Sequence, residues 1–201
     1  MKNWEIVAKR WLDVIVSGTA LVVLSPLLLI LAFLVRLGST GPVLFLQKRL
    51  GKDGKPFTCY KFRTMYVNCA DIRNPDGSTF NSEDDPRVTG VGRFLRKTSM
   101  DELPQLFNVL RGEMSLVGPR PDQVDQAKYY TVAERRKLEV KPGITGLAQI
   151  NGRNNIPWKK RKDLDLEYVN DQSFSLDLSI LWRTIPYILF RKDIFCNPAQ
   201  D

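Results

Sequence analysis

Asp101 and Glu102 stand side by side in SMDELPQLFNVLRGEMSLVGPRP, Ser99 to Pro121, in a chain without a single histidine. Any acid–base or nucleophilic work therefore falls to carboxylates, amines and hydroxyls. Basic residues surround the pair in sequence. Arg93, Arg96 and Lys97 precede it, Lys61 and Arg63 lie in YKFRTM, Arg120 sits between prolines in GPRP, and Arg153 lies in NGRN. Arginine matches phosphate oxygens bidentately and lysine meets them as a point charge. A carboxylate placed among phosphates calls for a cation, and Mg²⁺ takes oxygen ligands from one or two carboxylates plus the phosphates of a substrate. In such a site a carboxylate can attack phosphorus and form an acyl phosphate. The cations neutralise the charge that develops on the phosphoryl oxygens, and the neighbouring carboxylate binds metal or manages a proton.

The competing reading is structural. Ser99-Met100-Asp101-Glu102 has the S-x-x-E spacing of a capping box, and acidic residues suit the first turn of a helix. Pro104 complicates it. With Ser99 as the cap the proline falls at the fifth helical position, where a hydrogen bond is lost; with Asp101 as the cap it falls at the third, where none is needed. On either reading Asp101 lies at the electropositive end of a helix, which lowers its pKa, keeps it ionised and attracts phosphate.

The elements that must position these residues are legible in the pattern. Val14 to Val35 is uncharged, about 22 residues, enough to span a bilayer core of roughly 30 Å. Ser25-Pro26 interrupts it, and proline removes a backbone hydrogen bond and kinks a helix. Both flanks are basic, with Lys2, Lys9 and Arg10 before and Arg36, Lys48 and Arg49 after. The positive-inside rule places such an excess on one side, so the segment is expected to enter, break and return through the same face, with Trp4 and Trp11 at the interface. A plain transmembrane anchor is the alternative. Pro42 to Arg49 and Pro56 to Met65 read as strands of a small hairpin. Asn68 to Pro86 reads as a polar loop, either an element over the site or a passive insertion. Helical spacing is expected over Gly92 to Lys97, Leu103 to Leu110, Asp122 to Val140, Trp158 to Asn170 and Leu176 to Phe195. The last is cationic and aromatic, the composition of an interfacial helix, with a helix docked on the core as the alternative. The fold class is therefore α+β and mostly helical, with residues 1–37 as a membrane segment and 38–201 as one catalytic unit.

Charge and cysteines bound the function class. A formal net charge of +8 favours an anionic partner. Cys59, Cys69 and Cys196 are odd in number and widely spaced, which argues against a disulfide framework or a zinc site. Nucleic-acid binding ranks last, because the apolar segment accompanies no recognisable reading motif.

The stretches KRWLDVIVSGTALVVLSPLLL, YKFRTM, SMDELPQLFNVLRGEMSLVGPRP, KPGITGLAQINGRN and DLDLEYV, in this order, resemble the small monotopic phosphoglycosyl transferases of the bacterial sugar transferase family. The resemblance covers most of Lys9 to Tyr168. It implies a Mg²⁺-dependent enzyme of the bacterial inner membrane, with its active site on the cytoplasmic face. Such an enzyme moves a phospho-sugar from a UDP-sugar to undecaprenyl phosphate and releases UMP. It implies Asp101 as nucleophile and metal ligand, and Glu102 as its partner in metal binding or proton handling. Arg120 and Arg153 match the arginines for the phosphates and nucleotide, and Lys61, Arg96 and Asp165 fall on motif positions near the site. Arg63, Pro121 and Asn151 complete the expected substrate-binding set. It also implies the re-entrant helix. Anionic lipid headgroups are a further expected partner, a homodimer is left open, and the sugar is not identified. Two other functions stay open here: a membrane-anchored module that binds without reacting, and a glycosyl transferase that releases UDP.

Overall fold

A computed structural model of the chain describes residues 1–190. Arg191, Lys192 and Cys196, and the end of the helix expected to run to Phe195, lie outside these residues.

Helix α1 (Asn3–Val23) and helix α2 (Ser25–Gly38) meet at Leu24 with a bend of 64°. Pro26 causes it. The proline has no N–H for the carbonyl of Val22, four residues back, and the Ser25 hydroxyl donates to that oxygen instead, at 2.8 Å. No single helix among the described residues is long and apolar enough to cross a bilayer; the bent pair passes that test only together, as a broken span or a re-entrant loop. Polar residues tie α1 inward. Arg10 donates to the carbonyls of Val109 and Leu110 at 2.7 and 2.8 Å, and Asp13 accepts from the Ser115 hydroxyl and the Leu116 amide. Large apolar residues point outward, among them Trp4, Trp11, Val22, Leu29 and Phe33. This reverses the usual arrangement of a soluble helix.

Strands β1 (Leu44–Leu50) and β2 (Pro56–Phe62) form the expected antiparallel hairpin, with Leu44 opposite Phe62 and Leu50 opposite Pro56. Helices α3 (Gly90–Thr98) and α4 (Gln105–Arg111) come next. Two three-residue strands that sequence periodicity does not reveal, β3 (Ser115–Val117) and β4 (Gly143–Thr145), pair in parallel beneath them. Glycine permits this pairing: a Cβ on Gly118 would lie 2.4 Å from the Lys141 carbonyl oxygen. Helices α5 (Trp158–Asp171) and α6 (Phe174–Leu189) complete the fold. One core gathers Leu106, Val109, Met114, Val117, Ile150, Tyr168 and Ile180, and a smaller one joins α2 to α3 through Leu31, Val35, Phe62 and Leu95.

Two expectations need correction. About half of the described residues are helical, not most. Asp122 to Val140 is not one helix but two 3₁₀ segments, Val124–Tyr129 and Glu134–Glu139. The break arises at Thr131, whose hydroxyl accepts from the Glu134 amide (3.2 Å) while Glu134 accepts from the Thr131 amide (2.7 Å). This local capping box stops the first segment and starts the second. Asn68 to Pro86 has no regular element, as expected, yet it is anchored at the start of the first 3₁₀ segment: Arg73 donates to Gln123 at 2.6 Å, and the Gln126 amide to the Gly77 carbonyl at 3.1 Å.

Candidate active site

The dyad sits on a 3₁₀ turn, Met100–Glu102, between α3 and α4. Helix α3 is set close to the end of the hairpin by Gly92, where a Cβ would lie 2.0 Å from the Thr64 carbonyl oxygen. Ser99 then turns the chain with a left-handed φ of 58°, a conformation that costs a non-glycine residue about 1 kcal/mol or more. The turn delivers both carboxylates towards β2 and the GPRP loop.

The capping box does not form. Ser99 makes no side-chain cap; its hydroxyl accepts from Arg153 Nη1 at 3.1 Å. Glu102 Oε1 accepts from Lys61 Nζ at 2.6 Å and from Arg120 Nη2 at 2.9 Å. Pro104 flanks α4 without a side-chain cap. The two carboxylates thus have different surroundings. Glu102 is buried and doubly paired. Asp101 is partly exposed, and no hydrogen bond or ion pair to its carboxylate occurs among the described residues.

Their acidities diverge accordingly. Burial alone would raise Glu102, but Arg120 and then Lys61 overcome it and hold the carboxyl well below its usual range. Asp101 goes the other way. Desolvation in the partly closed site, then the adjacent Glu102 charge, push it up to about 6, against the pull of Lys61, Arg96 and Arg120. The expectation of a lowered pKa is overturned: the dyad lies on a single 3₁₀ turn ahead of α4, and desolvation raises the group. Near neutral pH Asp101 is still mainly ionised, and it is a more basic carboxylate than an ordinary aspartate. Below about pH 6 it takes a proton.

The remaining expected residues divide. Arg96 stands near enough to act on Asp101 and donates to the Thr64 hydroxyl at 3.0 Å. Arg153 acts on Glu102 from the far side of Ser99. Pro121 belongs to the site through its backbone, its carbonyl accepting from Arg49 Nη1 at 3.1 Å. Asp165 pairs with Lys137 at 2.7 Å, and Lys137 also holds Asp122, two residues past Arg120, at 2.8 Å. Asn151 makes its contacts elsewhere, donating to the Leu147 carbonyl and accepting from Arg183 on α6. Arg63 is the clear departure. It is 5% exposed, and its guanidinium donates to the carbonyls of Ser39 (2.9 Å), Thr40 (2.5 Å) and Pro42 (2.6 Å) just past α2. These bonds close the end of that helix.

Sequence reasoning passed over Arg49, Lys137 and Asn108. Asn108 accepts from the Tyr60 amide and donates to the Thr58 carbonyl, which fastens α4 to β2. An asparagine at a core-facing helical position was the available signal, since such a residue must find polar partners when buried.

No group of three or more metal-ligating side chains occurs among the described residues. The unpaired Asp101 carboxylate and the second oxygen of Glu102 are nevertheless two adjacent hard donors. They fit Mg²⁺ in a site completed by substrate phosphates and water, not a self-contained cage.

Residues 4–191 match the family described as Bacterial sugar transferase, and the chain belongs to that family. It is 48% identical to an uncharacterized sugar transferase of Bacillus subtilis, EpsL, over 94% of this chain and 90% of that protein. It is 46% identical to the UDP-glucose:undecaprenyl-phosphate glucose-1-phosphate transferase of Klebsiella pneumoniae, over 90% of this chain and 40% of that protein. It is 41% identical to the undecaprenyl-phosphate galactose phosphotransferase of Salmonella typhimurium, over 93% of this chain and 41% of that protein. The chain thus spans nine tenths of the first relative and less than half of the other two.

The reassignment of Arg63 has a direct consequence. Arg63→Met leaves several carbonyls without a donor and should lower the unfolding free energy by about 2 kcal/mol or more, with nucleotide binding retained by the molecules that stay folded. Unchanged stability in a denaturant titration, or a selective loss of nucleotide binding, would contradict it.

Proposed function

We propose that the chain transfers a sugar 1-phosphate from a UDP-sugar to undecaprenyl phosphate through a covalent intermediate on Asp101. The observation that carries this reading is the split of the dyad: one carboxylate neutralised by two cations, its neighbour unpaired and tuned to about 6. The names of the Klebsiella and Salmonella relatives supply the acceptor, and the first of them the nucleotide.

In this mechanism a carboxylate oxygen of Asp101 attacks the β-phosphorus of the UDP-sugar. The bond from that phosphorus to the bridging oxygen breaks, UMP leaves with the electron pair, and an aspartyl phosphosugar remains. A phosphate oxygen of undecaprenyl phosphate then attacks the same phosphorus and frees the carboxylate. Arg120 and Arg153 bind the phosphates, and Lys61 keeps Glu102 and Arg120 in register. Glu102 stays ionised and, with Asp101, would hold Mg²⁺, which when bound offsets negative charge on the phosphoryl oxygens.

The outer surface supports a place at a membrane. The exposed apolar residues of α1 and α2 are joined by Trp182, Ile185 and Leu189 of α6, and the net charge of +8 suits anionic headgroups. The bent α1–α2 pair is read as a re-entrant helix at the cytoplasmic face of the bacterial inner membrane. That position puts the dyad where a water-soluble donor and a lipid-borne phosphate meet.

Two measurements check these points. With UDP-glucose or UDP-galactose and undecaprenyl phosphate, UMP should appear in step with the lipid product; Asp101→Asn should reduce turnover by about 10³-fold or more while UDP binding stays within about threefold. Release of UDP, or a variant at full speed, contradicts the mechanism. For topology, single cysteines placed near residues 3 and 40 should react with an impermeant reagent from one shared side of sealed vesicles, and labelling from opposite sides rules out re-entry.

A further inference from the structure

Behind the arginines of the dyad lies a small cavity of about 20 Å³, room for one or two hydroxyl-sized groups. Arg120, which holds Glu102, lines it together with Arg153; Gln149 and Asp165 line it too. Gln149 is 6% exposed, and neither Nε2 nor Oε1 has a hydrogen-bond partner. Asp165 is 3% exposed; Oδ2 pairs with Lys137, and Oδ1 has no partner. A buried polar atom left unpaired costs about 1–3 kcal/mol, so three such atoms on two residues that line one cavity point to a ligand.

The chemistry of the three atoms selects its class. Oε1 and Oδ1 need donors, and Nε2 needs an acceptor. A phosphate offers only acceptors and would set oxygen against oxygen. The edge of a uracil base offers a single N–H. Two neighbouring hydroxyls offer two donors and several acceptors. We infer that Gln149 and Asp165 form a subsite that reads a sugar diol: one hydroxyl donates to Asp165 Oδ1, the other to Gln149 Oε1, and Gln149 Nε2 donates to a hydroxyl oxygen. The arginines bind phosphate on the adjoining wall, so the diol belongs to a sugar carried on that phosphate. This rests on the sugar-nucleotide reading above. Two rings of a UDP-sugar carry such a pair, the transferred hexose and the ribose.

The test is equilibrium binding of UDP, 2′,3′-dideoxy-UDP, UDP-glucose and UDP-galactose to the full chain and to Gln149→Leu. If the hexose is read, the variant binds one or both UDP-hexoses about 10-fold or more weakly and UDP within about threefold of wild type. If the ribose is read, UDP and both UDP-hexoses weaken alike while dideoxy-UDP does not change. Unchanged binding of every probe means that the cavity holds water only, and equal losses on UDP and dideoxy-UDP mean damage to the phosphate wall; either overturns the subsite. Should the variant fail to fold, the wild type decides. Equal affinity for UDP and dideoxy-UDP, and for UDP-glucose and its monodeoxy-hexose analogues, also overturns it. Hydroxyl-dependent binding without transfer to lipid keeps the subsite and removes the transferase reading; transfer without hydroxyl dependence does the reverse.

Discussion

Two cations on one carboxylate oxygen organise this site. Lys61 and Arg120 both bond Glu102 Oε1, which fixes a negative charge where burial alone would remove it. Asp101 then sits beside a permanent charge with no cation bonded to itself. Desolvation first, and then that charge, raise its proton affinity, and its lone pairs stay available. Were the cations shared evenly, both residues would be ordinary ion-paired carboxylates.

The scaffold serves that asymmetry. The hairpin presents Lys61 from β2, and the close passage of α3 over Thr64, allowed by Gly92, sets the turn that carries the dyad. Arg120 comes directly after β3, and Lys137 clamps Asp122 just beyond it. Helix α1 reaches the same strand: Lys9 donates to the Val117 carbonyl at 2.9 Å and to Asp177 at 2.6 Å. The apolar helix and the arginine loop are thereby parts of one hydrogen-bonded frame. In the proposed membrane placement, an attachment on one face also fixes the height of the dyad on the other.

What the sequence disclosed was local. Pro26 announced the bend, proline and glycine bounded the hairpin, and helical spacing marked α5 and α6. The dyad alone also reads as a capping box, and the family resemblance, not the residue types, singled out the candidate site residues. What stayed hidden was non-local or desolvation-driven. β3 and β4 are three residues each and pair across a long excursion, so no periodicity reveals them. Lys61 and Arg63 are two residues apart on one strand candidate, yet one meets Glu102 and the other closes α2, and only packing separates them. The acidity of Asp101 is set by desolvation, which sequence position does not display. The split at Thr131 is also written in the chain, as T-x-x-E, but the stretch as a whole reads as one helix.

In the proposed mechanism Asp101 becomes the phosphorylated group. The most direct measurement mixes the protein with a UDP-sugar in the absence of undecaprenyl phosphate, tracks intact mass, and maps the modified peptide across a pH series. The account predicts a single phosphosugar on Asp101, formed more slowly as the pH falls through about 6 and discharged when undecaprenyl phosphate is added. A modification on any other residue, or lipid-linked product made while residue 101 stays free, contradicts it.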